Sequence, residues 1–131
     1  MIKWRNLSNE DFFLYRTPEI EKNYFNYKDT ITKKYGSLYK YILDYVLIDK
    51  TKDYHLTFND YPYHLEDGVL HFLIWDLKKG EPNRNEYKKF VYKYFHPKYY
   101  DIIIRINKPN WRSIPEIKHC HLFIKLKDNK L

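Results

Sequence analysis

The stretch Lys118-His119-Cys120-His121-Leu122-Phe123-Ile124-Lys125 decides how the C-terminal half of this chain folds. No glycine or proline interrupts it, and apolar residues crowd it, so residues 117–126 read as a β-strand. Side chains two apart on a strand share a face. His119 and His121 therefore stand side by side, while Cys120 turns to the opposite face, toward the core. Upstream, residues 100–106 form a β-branched strand, with a loop over 107–115 before the last one. Residues 85–95 fit a helix with Phe90, Val91 and Tyr94 inward, entered from the loop Gly80-Glu81-Pro82-Asn83. Tyr54–Phe58 and residues 69–75 read as two more strands, joined by a turn-rich piece holding Pro62, Asp67 and Gly68.

The N-terminal part has a different period. Thr17 is a helix cap, Pro18 suits the first helical position, and Glu19 and Glu21 complement the positive end of the dipole. Ile20, Tyr24, Tyr27, Ile31 and Tyr35 then recur at helical spacing until Gly36 stops the helix. Ser37 caps a second, whose Leu38, Tyr41, Ile42, Tyr45 and Val46 are expected to face inward, giving an αα-hairpin. The order ααββαββ predicts an α+β fold, with three helices and a mainly antiparallel sheet of about four strands. At 131 residues, one domain spanning the whole chain is expected, with a loose tail after residue 127.

Composition narrows the function classes. The lone Cys120 excludes an internal disulfide and any multi-cysteine metal site, and a reducing compartment follows as the expectation: cytoplasm, nucleus or a viral factory. No run approaches the roughly 20 apolar residues of a membrane span, and the N-terminus carries no export signal, so no membrane partner is expected. The net charge of +7 suits phosphate-bearing partners, nucleic acid among them. Yet the lysines are scattered, and 15 tyrosines with no alanine or glutamine is the residue usage of an A+T-rich genome. Codon bias alone would supply much of that charge.

Five segments, Leu14-Tyr15-Arg16-Thr17-Pro18, Lys34-Tyr35-Gly36-Ser37, Asn59-Asp60-Tyr61-Pro62-Tyr63, Gly68 through Trp75, and Trp111 through His121, occur in this order. Together they resemble the N-acetylglucosamine-induced protein family, an uncharacterised family best known in fungi, over nearly the whole chain. The resemblance implies a link to amino-sugar response without a defined reaction; the short, A+T-biased sequence would also suit a giant-virus member, located in a viral factory or virion. The ββαββ part also resembles the histidine-triad nucleotide hydrolases and transferases. Asn59 through Tyr63, then His71, a helix, a strand ending near Asn107, and His119-Cys120-His121 follow that family's order. The resemblance implies His121 as the group attacking phosphorus, with His119 and His71 as its companions. Two departures stand out: Phe123 occupies the third triad position, and Leu70 replaces the glycine before His71.

Histidine is suited to nucleophilic attack and proton transfer near neutral pH. The candidate catalytic set is therefore His121, His119 and His71. Candidate ligand contacts are Asn59, Asp60, Arg105, Trp111 and Ser113, with Arg105 offsetting phosphate charge and Trp111 stacking on a base or sugar. The expected ligand is a small phosphate-containing nucleotide or nucleotide sugar, and no cofactor is implied. A zinc site built on His119, His121 and either His71 or Asp60 is the next reading, set behind the first because no acidic ligand sits at a diagnostic spacing. Against both stand a binding module without turnover and a structural or virion protein with a vestigial site, in which Trp75 is core and Asn59-Asp60 only shape a turn. Arg16, just before the first helix, is within reach of an anion, but is expected first to pin that helix to the sheet. The oligomeric state is not legible.

Overall fold

The expected caps all form in the computed structural model, which describes residues 1–107 and 116–128. Helix α1 (Pro18–Tyr35) starts where Thr17 Oγ1 accepts the Ile20 N–H at 3.2 Å. It stops at Gly36, whose φ of 94° lies in the region that favours glycine. Ser37 Oγ then accepts the Lys40 N–H to open α2 (Leu38–Tyr41), which widens at once into a π turn over Ile42–Val46. That widening corrects the sequence expectation. An i→i+5 turn adds a residue to the repeat and rotates later side chains off the stripe. Ile42 and Leu47 are buried, but Tyr45 and Val46, expected inward, face solvent.

Strands β1 (Tyr54–Phe58), β2 (Leu70–Asp76), β3 (Tyr100–Arg105) and β4 (His119–Leu126) form one sheet in the order β1-β2-β4-β3. Every pairing is antiparallel. The fold is α+β, as the order of elements predicts. β4 comes last in the chain yet sits between β2 and β3, so its side chains are flanked on both sides. Helix α3 (Arg84–Tyr92) is capped by Asn83 Oδ1 and ends sooner than expected. Tyr94 therefore points to solvent, and Tyr87 takes the inward position with its hydroxyl donating to buried Asp76 at 2.5 Å.

Register separates the two faces. Leu73, His121 and Arg105 lie in one cross-strand row; Trp75 opposes His119, and Phe123 lies between His71 and Ile103. All of these share one face. The other face presents Ile74, Cys120, Leu122, Ile124 and Ile104, which pack on Tyr87 and Val91 of α3. Cys120 does turn to the core, and burial pushes its thiol pKa up. The histidine face is roofed differently. Ile2, Leu7 and Leu14 of the N-terminal segment cover Phe123, while Ile42 and Leu47 cover Trp75 and Ile117. Among the described residues no helix is long and apolar enough to cross a membrane.

Leu122, fully buried on the central strand, anchors the α3 side of the sheet. Truncating it leaves a cavity as well as losing transfer free energy, so Leu122→Ala should lower unfolding stability by about 3 kcal/mol. Ile48→Ala, at a residue 75% exposed, should stay within about 0.5 kcal/mol. Urea midpoints of the two variants check this, and equal midpoints would contradict the packing described.

Candidate functional site

Two imidazoles meet at the centre of the histidine face. His71 of β2 and His121 of β4 are diagonal neighbours in the register, and His71 Nε2 lies 2.8 Å from His121 Nδ1. Both are buried. Tyr63 and Phe123 complete a packed group of rings: Tyr63 and His71 centroids are 4.9 Å apart, and His71 and Phe123 are 4.7 Å apart. Phe123 thus seals the pair on its apolar side.

The surroundings of the pair are donors. The Tyr63 N–H points at His71 Nδ1 at 3.3 Å, and Asn107 Nδ2 lies 3.0 Å from His121 Nε2. Asn59 Nδ2 approaches the His71 ring at 3.3 Å. Two neutral imidazoles carry two ring protons between them. With one proton shared between Nε2 and Nδ1, the other already faces a donor at one end of the chain. A third proton would add a second such conflict inside a buried site, near the charges of Arg16 and Arg105. Burial first, and the charge of Arg16 second, hold His71 down to about 3; burial first, then the neighbouring imidazoles His71 and His119 and after them the two arginines, hold His121 well below the ordinary imidazole range. The pair is neutral.

Arg105 holds this arrangement in place. Its guanidinium donates to the carbonyls of Asn9, at 2.9 Å, Glu10 and Phe12, and Nε reaches Asn107 Oδ1 at 3.3 Å. A residue expected to meet a phosphate is therefore 1% exposed and engaged with the chain's own N-terminal segment. Asn59 is buried, its Oδ1 accepting from the Tyr61 N–H in the turn the sequence suggests. Asp60 is exposed and lies on the rim of a hollow. Trp111 and Ser113 fall outside the described residues.

His119 stands apart from the sealed pair. Its ring is 5.8 Å from that of His121, edge-on, and 5.1 Å from that of Trp75. The Ile117 carbonyl lies 2.7 Å from His119 Nδ1, so that nitrogen carries the proton and donates it. His119 and one side of His121 line a hollow of about 160 Å³ together with Arg16, Tyr27, Asp60, Tyr61 and Trp75. Trp75 is 3% exposed, its Nε1–H donated to Thr57. Arg16 does pin α1, through Nε to the Tyr61 carbonyl at 2.7 Å and Nη1 to Glu21 at 3.3 Å. It also lines this hollow and an adjoining one.

A family profile described as Protein of unknown function (DUF3605) covers residues 5–125. The chain belongs to that family. A solved structure, the crystal structure of HTC1, shares its fold with a TM-score of 0.59 at 19% identity, over 95% of this chain and 85% of that one. No curated protein matches the sequence.

Zinc fits the histidines of this chain poorly. Two nitrogens bound to one tetrahedral zinc at 2.0–2.1 Å are separated by about 3.3 Å, whereas His71 and His121 face each other at 2.8 Å across a shared proton. Among the described residues no three His, Cys, Asp or Glu side chains are set to hold a metal ion.

Three roles are not legible in the sequence: Tyr63 packing on the pair, Asn107 at its outer end, and Tyr27 in the hollow wall. The Asn59 through Tyr63 segment and the end of β3 stand out in the sequence, but nothing in residue spacing shows that Tyr63 and Asn107 converge on His121 across 44 positions of chain, joined to each other at 3.1 Å.

Neutral burial has a consequence for stability. The unfolded chain binds protons at both histidines near pH 6.5 while the folded chain does not, so the contribution is complete above that pH and is lost as pH falls toward the depressed folded values. Each imidazole adds up to about 1.4 kcal/mol per pH unit to the slope. His71→Gln should flatten the fall in urea midpoint between about pH 6.5 and pH 5 relative to the wild type. Parallel curves for the two proteins would show that the pair titrates normally.

Proposed function

We propose that this protein binds and turns over a small phosphate-bearing ligand, a nucleotide or nucleotide sugar, at the hollow lined by Arg16, Trp75 and His119. The observation that carries this reading is the Ile117 carbonyl on His119 Nδ1. It fixes the tautomer whose Nε2 can attack phosphorus or accept a proton, on a residue that lines a hollow. His121, implied as the attacking group by the histidine-triad resemblance, has both nitrogens engaged within the protein. It serves better as the fixed floor of the site.

At about 160 Å³ the hollow is below the roughly 300 Å³ of drug-sized pockets, so one ring or one phosphate enters rather than a whole nucleotide. Tyr27, Tyr61 and Trp75 supply apolar walls for a sugar or base, and Arg16 supplies the positive charge. In the reaction, an N–P bond forms at His119 Nε2 as the P–O bond to the leaving group breaks. Water then cleaves the N–P bond and releases phosphate or nucleotide. A second reading, a binding module without turnover, is favoured by the sealed His71–His121 pair, which offers no second titrating group beside His119.

Turnover and binding are measured for wild type and His119→Ala against nucleotides, nucleotide phosphoramidates and nucleotide sugars, including the uridine-diphosphate amino sugar. Product release that falls at least about 100-fold in the variant, with affinity nearly kept, is the expected result. Binding without product points to the module, with Trp75→Leu and Arg16→Gln then weakening affinity. Neither binding nor product sinks both readings.

A further inference from the structure

On the other side of Arg16, between residues 13–16 and α1, lies a larger cleft of about 410 Å³, within the ordinary range for small-molecule sites. Its walls combine two features seldom left without purpose. The first is crowded positive charge. Arg16 Cζ is 4.3 Å and Lys28 Nζ 4.7 Å from the centre of one ring, that of Tyr24, and Lys28 is also 4.9 Å from the centre of Phe25. One carboxylate beside them, Glu21, is paired with Arg16 at 3.3 Å and also acts on Lys28. Lys28 has no ion pair, and Arg16 Nη2 no hydrogen bond, among the described residues. Burial and the nearby Arg16 both press the Lys28 ammonium toward losing its proton. An added anion would relieve that crowding.

The second feature is apolar. Phe13 is 59% and Phe25 56% exposed, and both line the same cleft. Large exposed rings beside paired cations suit a ligand with a flat apolar part and an anionic end.

We propose that this cleft is a second binding site, for an aromatic phosphate monoester whose phosphate is held by Lys28 and Arg16 and whose ring lies against Phe13 and Phe25. The site shares Arg16 with the inner hollow but none of its histidines, and it stands whether or not His119 is reactive. Because one guanidinium serves both hollows, a phosphate drawn to one alters the positive charge offered in the other.

Phenyl phosphate is the probe, titrated calorimetrically into the full chain beside inorganic phosphate. The expected result is tighter binding of phenyl phosphate than of inorganic phosphate by about tenfold, one to two kcal/mol of ring contact. Lys28→Gln and Phe25→Ala should each weaken phenyl phosphate binding at least fivefold, and His119→Ala should leave it unchanged. Phe25 is exposed and Lys28 only part-buried on α1, so both variants keep the fold, which their melting midpoints verify. Absence of binding, equal affinity for the two probes, or indifference to either α1 variant overturns the assignment. Loss of binding in His119→Ala overturns it too, by placing the probe in the inner hollow.

Discussion

One guanidinium holds the inner face of this sheet together. Arg105 sits on β3 directly beside His121, buried, with its donors turned to three backbone carbonyls of the N-terminal segment and to the side chain of Asn107. A buried charge is tolerable only when its hydrogen-bonding capacity is met. Backbone carbonyls meet it without a counter-ion, so the arginine stays cationic while its neighbours stay neutral. The consequences spread outward. The carbonyls it holds fix residues 9–12 over the sheet, which sets where Leu14 and Arg16 fall and hence where α1 begins. The same guanidinium orients Asn107, which reaches His121.

This arrangement explains the division of labour among the histidines. A cation within the inner face, donors at both ends of the His71–His121 pair and the Phe123 ring against it all disfavour protonation. A buried neutral pair with its nitrogens engaged is a structural element, comparable to a hydrogen-bonded amide pair. His119, two residues earlier on β4, sits past the edge of that roof, where β4 begins and Trp75 forms the wall. A shift of two residues along one strand thus separates a buried imidazole with both nitrogens engaged from a half-buried one, although both line the hollow.

How much of this was legible in the sequence depended on range. Local signals served well: Thr17 and Ser37 cap the first two helices, Gly36 breaks that pair, and the period-two strands fall within a residue or two of their expected bounds. The misplacements of Tyr45, Val46 and Tyr94 share one cause. Each rests on extending a regular helix past the point where the backbone changes, at the π turn or after Tyr92, and periodicity cannot see that change. The N-terminal segment was unread because Ile2, Leu7 and Leu14 follow neither helical nor strand spacing; they are buried by an irregular chain held through Arg105.

The candidate site divides along the same line. Two histidines at i, i+2 must share a face of a strand, and that much is local. Whether either is buried depends on what crosses above it, and here that is decided by strand order. With β4 in the interior of the sheet, His121 acquires a neighbour on each side, Leu73 and Arg105; the first fourteen residues of the chain reach over Arg105 and Phe123, while Leu73 packs with Ile42 and Leu47. An edge position for the same strand would have left His121 open to water and to ligand. The chemistry available to the His-x-His sequence is thus set by topology rather than by the motif. The same reasoning accounts for Arg105: a cation at the end of a strand reads as a phosphate contact until the pairing shows it enclosed, where its charge is used to bind the protein's own backbone.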